Sequence, residues 1–419
     1  VVKGLAPDKG LYMPERIERL PDTFFGEMKN RTFQQVAFDV ASAFFGEDIP
    51  PEKLHEIVYD ALDFDTPVVT VSSNIYALEL FHGPTLAFKD VGARFMARML
   101  AHFIEQSGRQ KRVSVIVATS GDTGSAVANG FLGVSGIDVV VLYPEGKVSE
   151  IQEKQFTTLG RNITAIEVDG TFDDCQRLVK SAFLDEELNK RFNLSSANSI
   201  NVARFLPQAF YYFWAYAQLD RIGKADKLVV SVPCGNFGNI TAGLFARRMG
   251  LPIRRFIAAN NRNDIFLNYL RTGLYEPRES VATLANAMDV GDPSNSVRIL
   301  DLYDNSHARI VQDISGCRYD DDQIINTIQK TYTETRYLLD PHGACGYQSL
   351  VDGLESDETG LFLETAHPAK FLDTVEKIIG EPVEIPTKLA EFMKGKKQSI
   401  PMSREYADFR NFLEKRQFP

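Results

Sequence analysis

Val113-Ser114-Val115-Ile116-Val117-Ala118 runs into Thr119-Ser120-Gly121-Asp122-Thr123-Gly124 and then into Ser125 to Phe131. The first six residues are mostly β-branched and apolar, the pattern of a strand buried on both faces. The next six are small or hydroxylated and read as a turn. The small-residue run after them reads as a helix. The same unit then repeats. Ile137 to Tyr143 reads as a strand, Glu150 to Leu159 as a helix, Ile163 to Val168 as a strand and Phe172 to Asn189 as a helix. Strand and helix in alternation build an open parallel sheet with helices on its faces.

Val202 to Leu219 is a long, aromatic-rich helical stretch with a kink expected at Pro207. The alternation then restarts. Lys227 to Val232 reads as a strand, Pro233 to Asn239 as a Gly-rich turn, Ile240 to Met249 as a helix and Phe256 to Ala259 as a strand. Residues 275 to 310 are irregular and polar, an excursion expected near a site. Asp322 to Leu338 reads as a helix, and Gly360 to Glu364 as a strand ending in Thr365-Ala366-His367-Pro368. Before all this, residues 1 to 75 alternate short helical patterns with proline breaks and end in the β-branched run Val68 to Val71. The expected organisation is α/β: a mostly helical N-terminal segment over 1–75, a smaller α/β domain over 76–210 and a larger one over 211–419. In such sheets a ligand sits in the crevice at the strand carboxyl ends.

One stretch carries chemistry of its own: Phe81-His82-Gly83-Pro84-Thr85-Leu86-Ala87-Phe88-Lys89-Asp90. Gly83 and Pro84 mark a turn. From Ala87 apolar residues recur at helical steps through Phe88, Val91, Phe95, Met96 and Met99. Lys89 therefore falls in the first helical turn beside apolar neighbours. Desolvation lowers a lysine pKa, and the neutral amine is a nucleophile. A solvated lysine on an ordinary helix has the same local pattern.

The other motifs also have two readings. Gly235-Asn236-Phe237-Gly238-Asn239 lies between a strand and a helix, where free N–H groups favour an anion such as a phosphate. It is neither a P-loop nor the three-glycine dinucleotide fingerprint, and a tight turn needing glycine explains it equally well. Thr119 to Gly124 has the same topology in the other sheet and suits a second anion, such as a substrate carboxylate. Its Ser120, Asp122 or Thr123 could equally cap the helix. The Thr365 hydroxyl, at a strand end, could bond a ring nitrogen or cap the helix after Pro368. Arg204, Lys154, Asn198 and Asn201 could bind a substrate anion or serve as ordinary surface and capping residues. His82 and His367 read as loop residues.

Composition limits the function classes. With 419 residues the chain exceeds one ordinary core. Apolar residues make up 44% and charged residues 24%, as in a soluble globular protein. A net charge of −10, with no long basic run, argues against a nucleic-acid partner. Cys175, Cys234, Cys317 and Cys345 are scattered and lack metal spacing, so no metal is expected and a reducing, cytoplasmic setting is. No apolar run reaches the about 18 residues needed to span a bilayer. No signal peptide is visible, and the missing initial Met suggests a processed or trimmed N-terminus.

Taken in order, the lysine stretch, the Thr119–Gly124 turn, the Gly235–Asn239 turn and Thr365-Ala366-His367-Pro368 closely resemble the threonine synthase family. This is its microbial and fungal branch, within the pyridoxal-phosphate enzymes of the tryptophan-synthase β-chain fold. Asn198 to Arg204 and Ala285-Asn286-Ala287-Met288-Asp289 extend the resemblance across the chain. The resemblance implies two open, mostly parallel αβα sheet domains. It implies that Lys89 holds pyridoxal 5'-phosphate as a Schiff base and then acts as general base. Gly235, Asn236, Phe237, Gly238 and Asn239 would cradle the cofactor phosphate, and Thr365 would bond the pyridine nitrogen. Thr119, Ser120, Asp122, Thr123, Asn201 and Arg204 would bind the substrate. Many relatives in the wider fold carry Asn where Asp122 stands, which leaves the role of that side chain open. The implied reaction turns O-phosphohomoserine and water into threonine and phosphate. A monomer or homodimer without nucleic-acid or membrane partners is expected. The alternatives are a sibling pyridoxal-phosphate lyase, such as a serine or threonine dehydratase, and a non-catalytic metabolite-binding protein.

Overall fold

The computed structural model describes residues 1, 2, 4–6, 8, 10–107 and 112–416. Its strands are β1 (Val68–Ser72), β2 (Ile75–Glu79), β3 (Val113–Ala118), β4 (Ile137–Pro144), β5 (Ile163–Val168), β6 (Asn193–Ser196), β7 (Leu228–Pro233), β8 (Ile253–Asn260), β9 (Ile314–Arg318), β10 (Thr359–Glu364) and β11 (Ile400–Met402). They form a five-stranded sheet of order β11-β5-β4-β3-β6 and a six-stranded sheet of order β1-β2-β10-β7-β8-β9. Every pairing is parallel except β1 with β2.

The chain divides into two compact units. The first comprises Val1–Tyr12, Lys89–Arg204 and Ile385–Pro419, the second Met13–Phe88 and Phe205–Glu384. These units interleave along the chain, whereas the expected segments 1–75, 76–210 and 211–419 run consecutively. Pairing explains the interleaving. β1 and β2 join the later sheet through β10, and β11 returns to pair with β5.

In the first unit the β-branched strands are buried on both faces, as their composition demands. Val113, Val115, Val117, Val139 and Val141 face Met96, Phe131 and Phe156. Ile116, Val140 and Leu142 face Leu178, Leu188 and Phe409. The two-residue period thus sends alternate side chains into two separate cores. The stretch Phe172 to Asn189, expected as one helix, is two: Phe172–Leu184 and Glu186–Arg191. Asp185 divides them because its carboxylate caps the second, accepting from Glu187 and Leu188 N–H, each at 3.1 Å.

In the second unit Val229, Ile257 and Phe362 pack with Ile324, Ile328 and Leu350. The N-terminal layer is helical over Asp22–Glu27, Phe33–Phe45 and Pro51–Ala61. Thr32 and Gln35 close a capping box at the start of Phe33–Phe45. This layer packs on the aromatic helix Ala209–Arg221, with Phe33 stacked on Trp214 at 5.9 Å. The kink expected at Pro207 is present as a short 3₁₀ turn, Leu206–Gln208, between Val202–Phe205 and Ala209–Arg221. Among the described residues no helix is long and apolar enough to cross a membrane.

Candidate active site

In the second unit three neighbouring parallel strands, β2, β10 and β7, end on one edge of the sheet. Glu364 pairs with Glu79, and Phe362 with Ser231. Carrying that register forward sets Thr365 level with Cys234, at the mouth of the Gly-rich turn. The Thr365 hydroxyl bonds to no described residue. Burial pushes the Cys234 thiol well up, so it stays protonated and is no nucleophile.

The turn itself is rich in unspent donors. Phe237 adopts a left-handed conformation, φ 60°, and the helix Gly238–Arg248 starts after it. Thr241 is the first residue to close a bond back, to the Phe237 carbonyl at 3.1 Å. Among the described residues the backbone N–H groups of Gly235 through Ile240 have no acceptor. Asn239 adds another donor. Its Oδ1 accepts from the Tyr211 and Tyr212 hydroxyls, each at 2.7 Å, which fixes the amide and leaves its buried Nδ2 without a partner. From Gly235 to Ile240 there is no acidic side chain. A phosphate, all acceptor, suits this set.

The turn is held from behind. Asn236 Oδ1 accepts from Ser294 N–H at 3.2 Å, and its carbonyl accepts from Asn295 N–H at 3.2 Å and Asn295 Nδ2 at 3.0 Å. A Cβ on Gly235 would overlap the Ala287 carbonyl, so the excursion after residue 275 lies directly against the turn. That excursion is tied by Asp289, which accepts from Thr283 N–H at 3.0 Å, Thr283 Oγ1 at 2.7 Å, Asn261 Nδ2 at 2.8 Å and Asn263 Nδ2 at 3.1 Å. Burial nonetheless pushes the Asp289 carboxyl up to about 6.

The turn that leads to Lys89 is stitched to the end of β10. Leu80 N–H donates to Glu364 O at 3.0 Å, Phe88 N–H to Thr365 O at 2.9 Å and His367 N–H to Leu86 O at 3.0 Å. The buried Lys370 Nζ donates to Thr85 O at 2.8 Å. His82 lies 2.8 Å from Glu79 Oε2, and His367 accepts from Ala369 N–H through Nδ1 at 3.1 Å. Both histidines are loop residues, as expected.

In the first unit Lys89 opens the helix Lys89–Gln106 and is half-buried. One turn along, a Cβ on Gly92 would overlap the carbonyl and Nη1 of Arg204. Residues three apart share a helix face, so the buried Arg204 runs beside the face that carries Lys89. The Thr119–Gly124 loop leads into the helix Asp122–Phe131. The Thr119 hydroxyl is spent within it, accepting from Gly121 N–H at 2.9 Å and Gly124 N–H at 2.7 Å. Ser120 and Thr123, both half-buried, have hydroxyls and N–H groups with no partner among the described residues. Asp122 accepts from Gln152 Nε2 at 2.9 Å. A Cβ on Gly121, φ 142°, would stand 2.6 Å from that same Gln152 side chain.

Asn201 is fully committed elsewhere. Its Nδ2 donates to Val1 O at 2.8 Å and Ser196 O at 3.2 Å, and its Oδ1 accepts from Ala203 N–H at 3.0 Å. Lys154 donates to Gly395 O at 2.9 Å. The four cysteines are free thiols, and no metal-holding cluster exists among the described residues. Sequence reasoning missed Gln152, Tyr211 and Tyr212. Ser149-Glu150-Ile151-Gln152 does carry a helix-start signature, with Gln152 N–H donating to Ser149 Oγ at 3.3 Å. That signature gives no sign of the contact to Asp122.

Comparison with known proteins shows the family. Residues 62–362 match the family of pyridoxal-phosphate dependent enzymes, residues 1–62 the threonine synthase N terminus and residues 343–413 the threonine synthase C-terminal family. The chain is 47% identical to a threonine synthase of Escherichia coli over 93% of its length and 90% of that relative. It is 36% identical to a threonine synthase of Saccharomyces cerevisiae over 90% of its length and 85% of that relative. The crystal structure of threonine synthase from Escherichia coli superposes with a TM-score of 0.93 at 45% identity, covering 99% of this chain and 96% of that one. The structure of pyridoxal-phosphate-bound threonine synthase from Brucella melitensis superposes with a TM-score of 0.90 at 35% identity, covering 98% and 94%. A tomato threonine deaminase, at 16% identity and a TM-score of 0.57, shares the fold alone.

Proposed function

Because this chain belongs to the threonine synthase family of pyridoxal-phosphate-dependent enzymes, we propose that it converts O-phospho-L-homoserine and water to L-threonine and phosphate. The observation that carries this reading is the run of unspent donors from Gly235 to Ile240, with the Asn239 amide, at the end of β7. Those groups would hold the cofactor phosphate, the Thr365 hydroxyl the ring nitrogen, and Lys89 the aldehyde carbon. When bound, pyridoxal phosphate supplies a conjugated ring that accepts the electron pair left at a substrate carbon once its proton is removed.

The remaining work falls to the chain. Lys89 would take the proton from the substrate Cα as general base and return protons later in the cycle. A second deprotonation, at Cβ, allows the γ-phosphate to leave, and water adds at Cβ. Thr365 contributes a neutral hydroxyl, which does not force a proton to stay on the ring nitrogen as a carboxylate would. The N–H groups and hydroxyls of Ser120 and Thr123 receive the substrate carboxylate. Thr119 shapes that loop through its internal bonds, and Gln152 orients Asp122. Arg204, buried beside the Lys89 helix, offers a cation to a substrate anion. Asn201 acts through the backbone it ties down.

The test is direct. Protein given O-phosphohomoserine releases phosphate and threonine in equal amounts. Borohydride reduction followed by peptide mapping places the cofactor on Lys89, and Lys89→Ala abolishes both label and turnover. Keto acid formed from serine or threonine, with no phosphate released from O-phosphohomoserine, would make the protein a dehydratase instead.

A further inference from the structure

A chain of hydrogen bonds, buried from Glu364 to His342 and part-buried at its last link to Ala287, lies behind the Gly-rich turn of the second unit, and the chemistry above does not use it. Glu364 ends β10, and its Oε1 accepts from Asp340 N–H at 2.6 Å. Asp340 caps the helix Pro341–Gly353. Its Oδ1 accepts from His342 N–H at 2.8 Å and lies 2.5 Å from His342 Nδ1, and its Oδ2 accepts from Gly343 N–H at 3.3 Å. On the far side of the imidazole, Nε2 accepts from Ala287 N–H at 3.1 Å. An N–H aimed at Nε2 leaves no place for a proton there. The ring is therefore neutral, with its one proton on Nδ1 directed at Asp340. Asp340 selects the tautomer, and the tautomer makes His342 an acceptor.

Ala287 is the centre of the short turn Asn286–Met288, and its carbonyl fills the space that a side chain on Gly235 would need. One face of Ala287 is thus held by His342, while the other meets the first residue of the Gly-rich turn. We propose that His342 is a positioning residue for that turn: by accepting the Ala287 N–H it seats Asn286–Met288 against Gly235 and so fixes where the donors of Gly235 to Ile240 point. This rests on the reading of Gly235–Ile240 as the cofactor's phosphate anchor.

Two substitutions separate this role from a general need for a residue that fits. Asn places its amide at the height of Nδ1, where it can still donate to Asp340 but offers Ala287 no acceptor. Gln reaches the height of Nε2 and can accept the Ala287 N–H. The readout is affinity for pyridoxal 5'-phosphate against pyridoxal, measured by equilibrium dialysis on the whole chain freed of cofactor. Pyridoxal closes partly to an internal hemiacetal in water, an offset common to every protein compared, so the change in preference between variants reports the phosphate site. The wild type prefers the phosphate form. His342→Asn shrinks that preference roughly tenfold, and His342→Gln keeps it within about twofold. If His342→Asn keeps the wild-type preference, or both variants lose it equally, the positioning role is overturned. If the wild type itself shows no preference, the phosphate anchor fails before any substitution is made, and this proposal with it.

Discussion

The backbone N–H of Phe88 donates to the carbonyl of Thr365 across 2.9 Å. The residue before Lys89 in the chain is thereby fixed to the residue whose hydroxyl is assigned to the cofactor's ring nitrogen. Because this bond uses the Thr365 backbone, its side chain can be changed without cutting the stitch. Thr365→Val keeps the shape and removes the hydroxyl, and kcat falls about tenfold with KM within about twofold. Thr365→Ser recovers most of the loss. Steady-state phosphate release at saturating cofactor checks both, and full activity in the Val variant would remove Thr365 from the ring nitrogen.

Asp122 and Gln152 can be separated in the same way. Gln152 Nε2 donates to Asp122 Oδ1 at 2.9 Å, and Gln152 Oε1 accepts from Ser149 Oγ at 3.1 Å. In Asp122→Asn the two amides can still pair, so thermal stability stays close to wild type while the charge is lost. In Gln152→Leu the carboxylate keeps its charge but loses this buried donor, at about 1–3 kcal/mol of stability. If the Asp122 charge serves the reaction, the first variant loses kcat and the second mainly raises KM. Melting curves and steady-state kinetics on the pair give the answer, and a Gln152→Leu enzyme with unchanged stability and KM would deny Gln152 its orienting role.

The sequence shows the parallel sheets plainly because β3, β4, β5 and β7 are runs of branched apolar residues with no competing signal. β2 was harder: Ile75-Tyr76-Ala77-Leu78-Glu79 also suits a helix, and only its pairing with β10, nearly three hundred residues on, makes it a strand. The glycine turns and the lysine stretch were legible as motifs, since turns and helix starts are encoded locally. Their supports were not. Tyr211 and Tyr212 look like core aromatics, yet their hydroxyls set the Asn239 amide. His342 looks like one more dispersed histidine, yet it faces Ala287 from fifty-five residues away. Such contacts depend on tertiary proximity, which local pattern does not encode. Asn201 and Thr119 show the reverse: motif members whose side chains are spent on backbone.

Acid stability has a component that can be isolated at His367. Burial first, then the charge of His82, brings its imidazole down from 6.5 to about 4. The unfolded chain therefore takes a proton at His367 before the folded one does. Stability from this group is complete above 6.5 and is lost as pH falls from 6.5 toward 4, by about 3 kcal/mol in all. His367→Asn keeps an acceptor for the Ala369 N–H now taken by Nδ1 and has nothing to titrate. Urea denaturation at pH 7 and pH 5 is expected to show a smaller acid loss in the variant. An equal loss in both proteins would mean that His367 titrates normally.

Gly343 tests the buried carboxyl beside it. A Cβ there would overlap Glu364 Oε2, which is buried and has no partner. Burial first, and then the charge of Asp340, pushes the Glu364 carboxyl well up, so it is held as the neutral acid. Gly343→Ala must displace either the start of the helix Pro341–Gly353 or the end of β10, both fully buried, and costs roughly 3 kcal/mol. Glu364→Ala frees the space but leaves Asp340 N–H without its acceptor, at about 1–3 kcal/mol. The two costs do not add, because the first exists only while Glu364 fills the space. The double variant is therefore more stable than the sum of the singles predicts, by an interaction energy on the order of 2 kcal/mol. Denaturant midpoints for the four proteins of the cycle measure this energy, and strict additivity would place Glu364 away from Gly343 in solution.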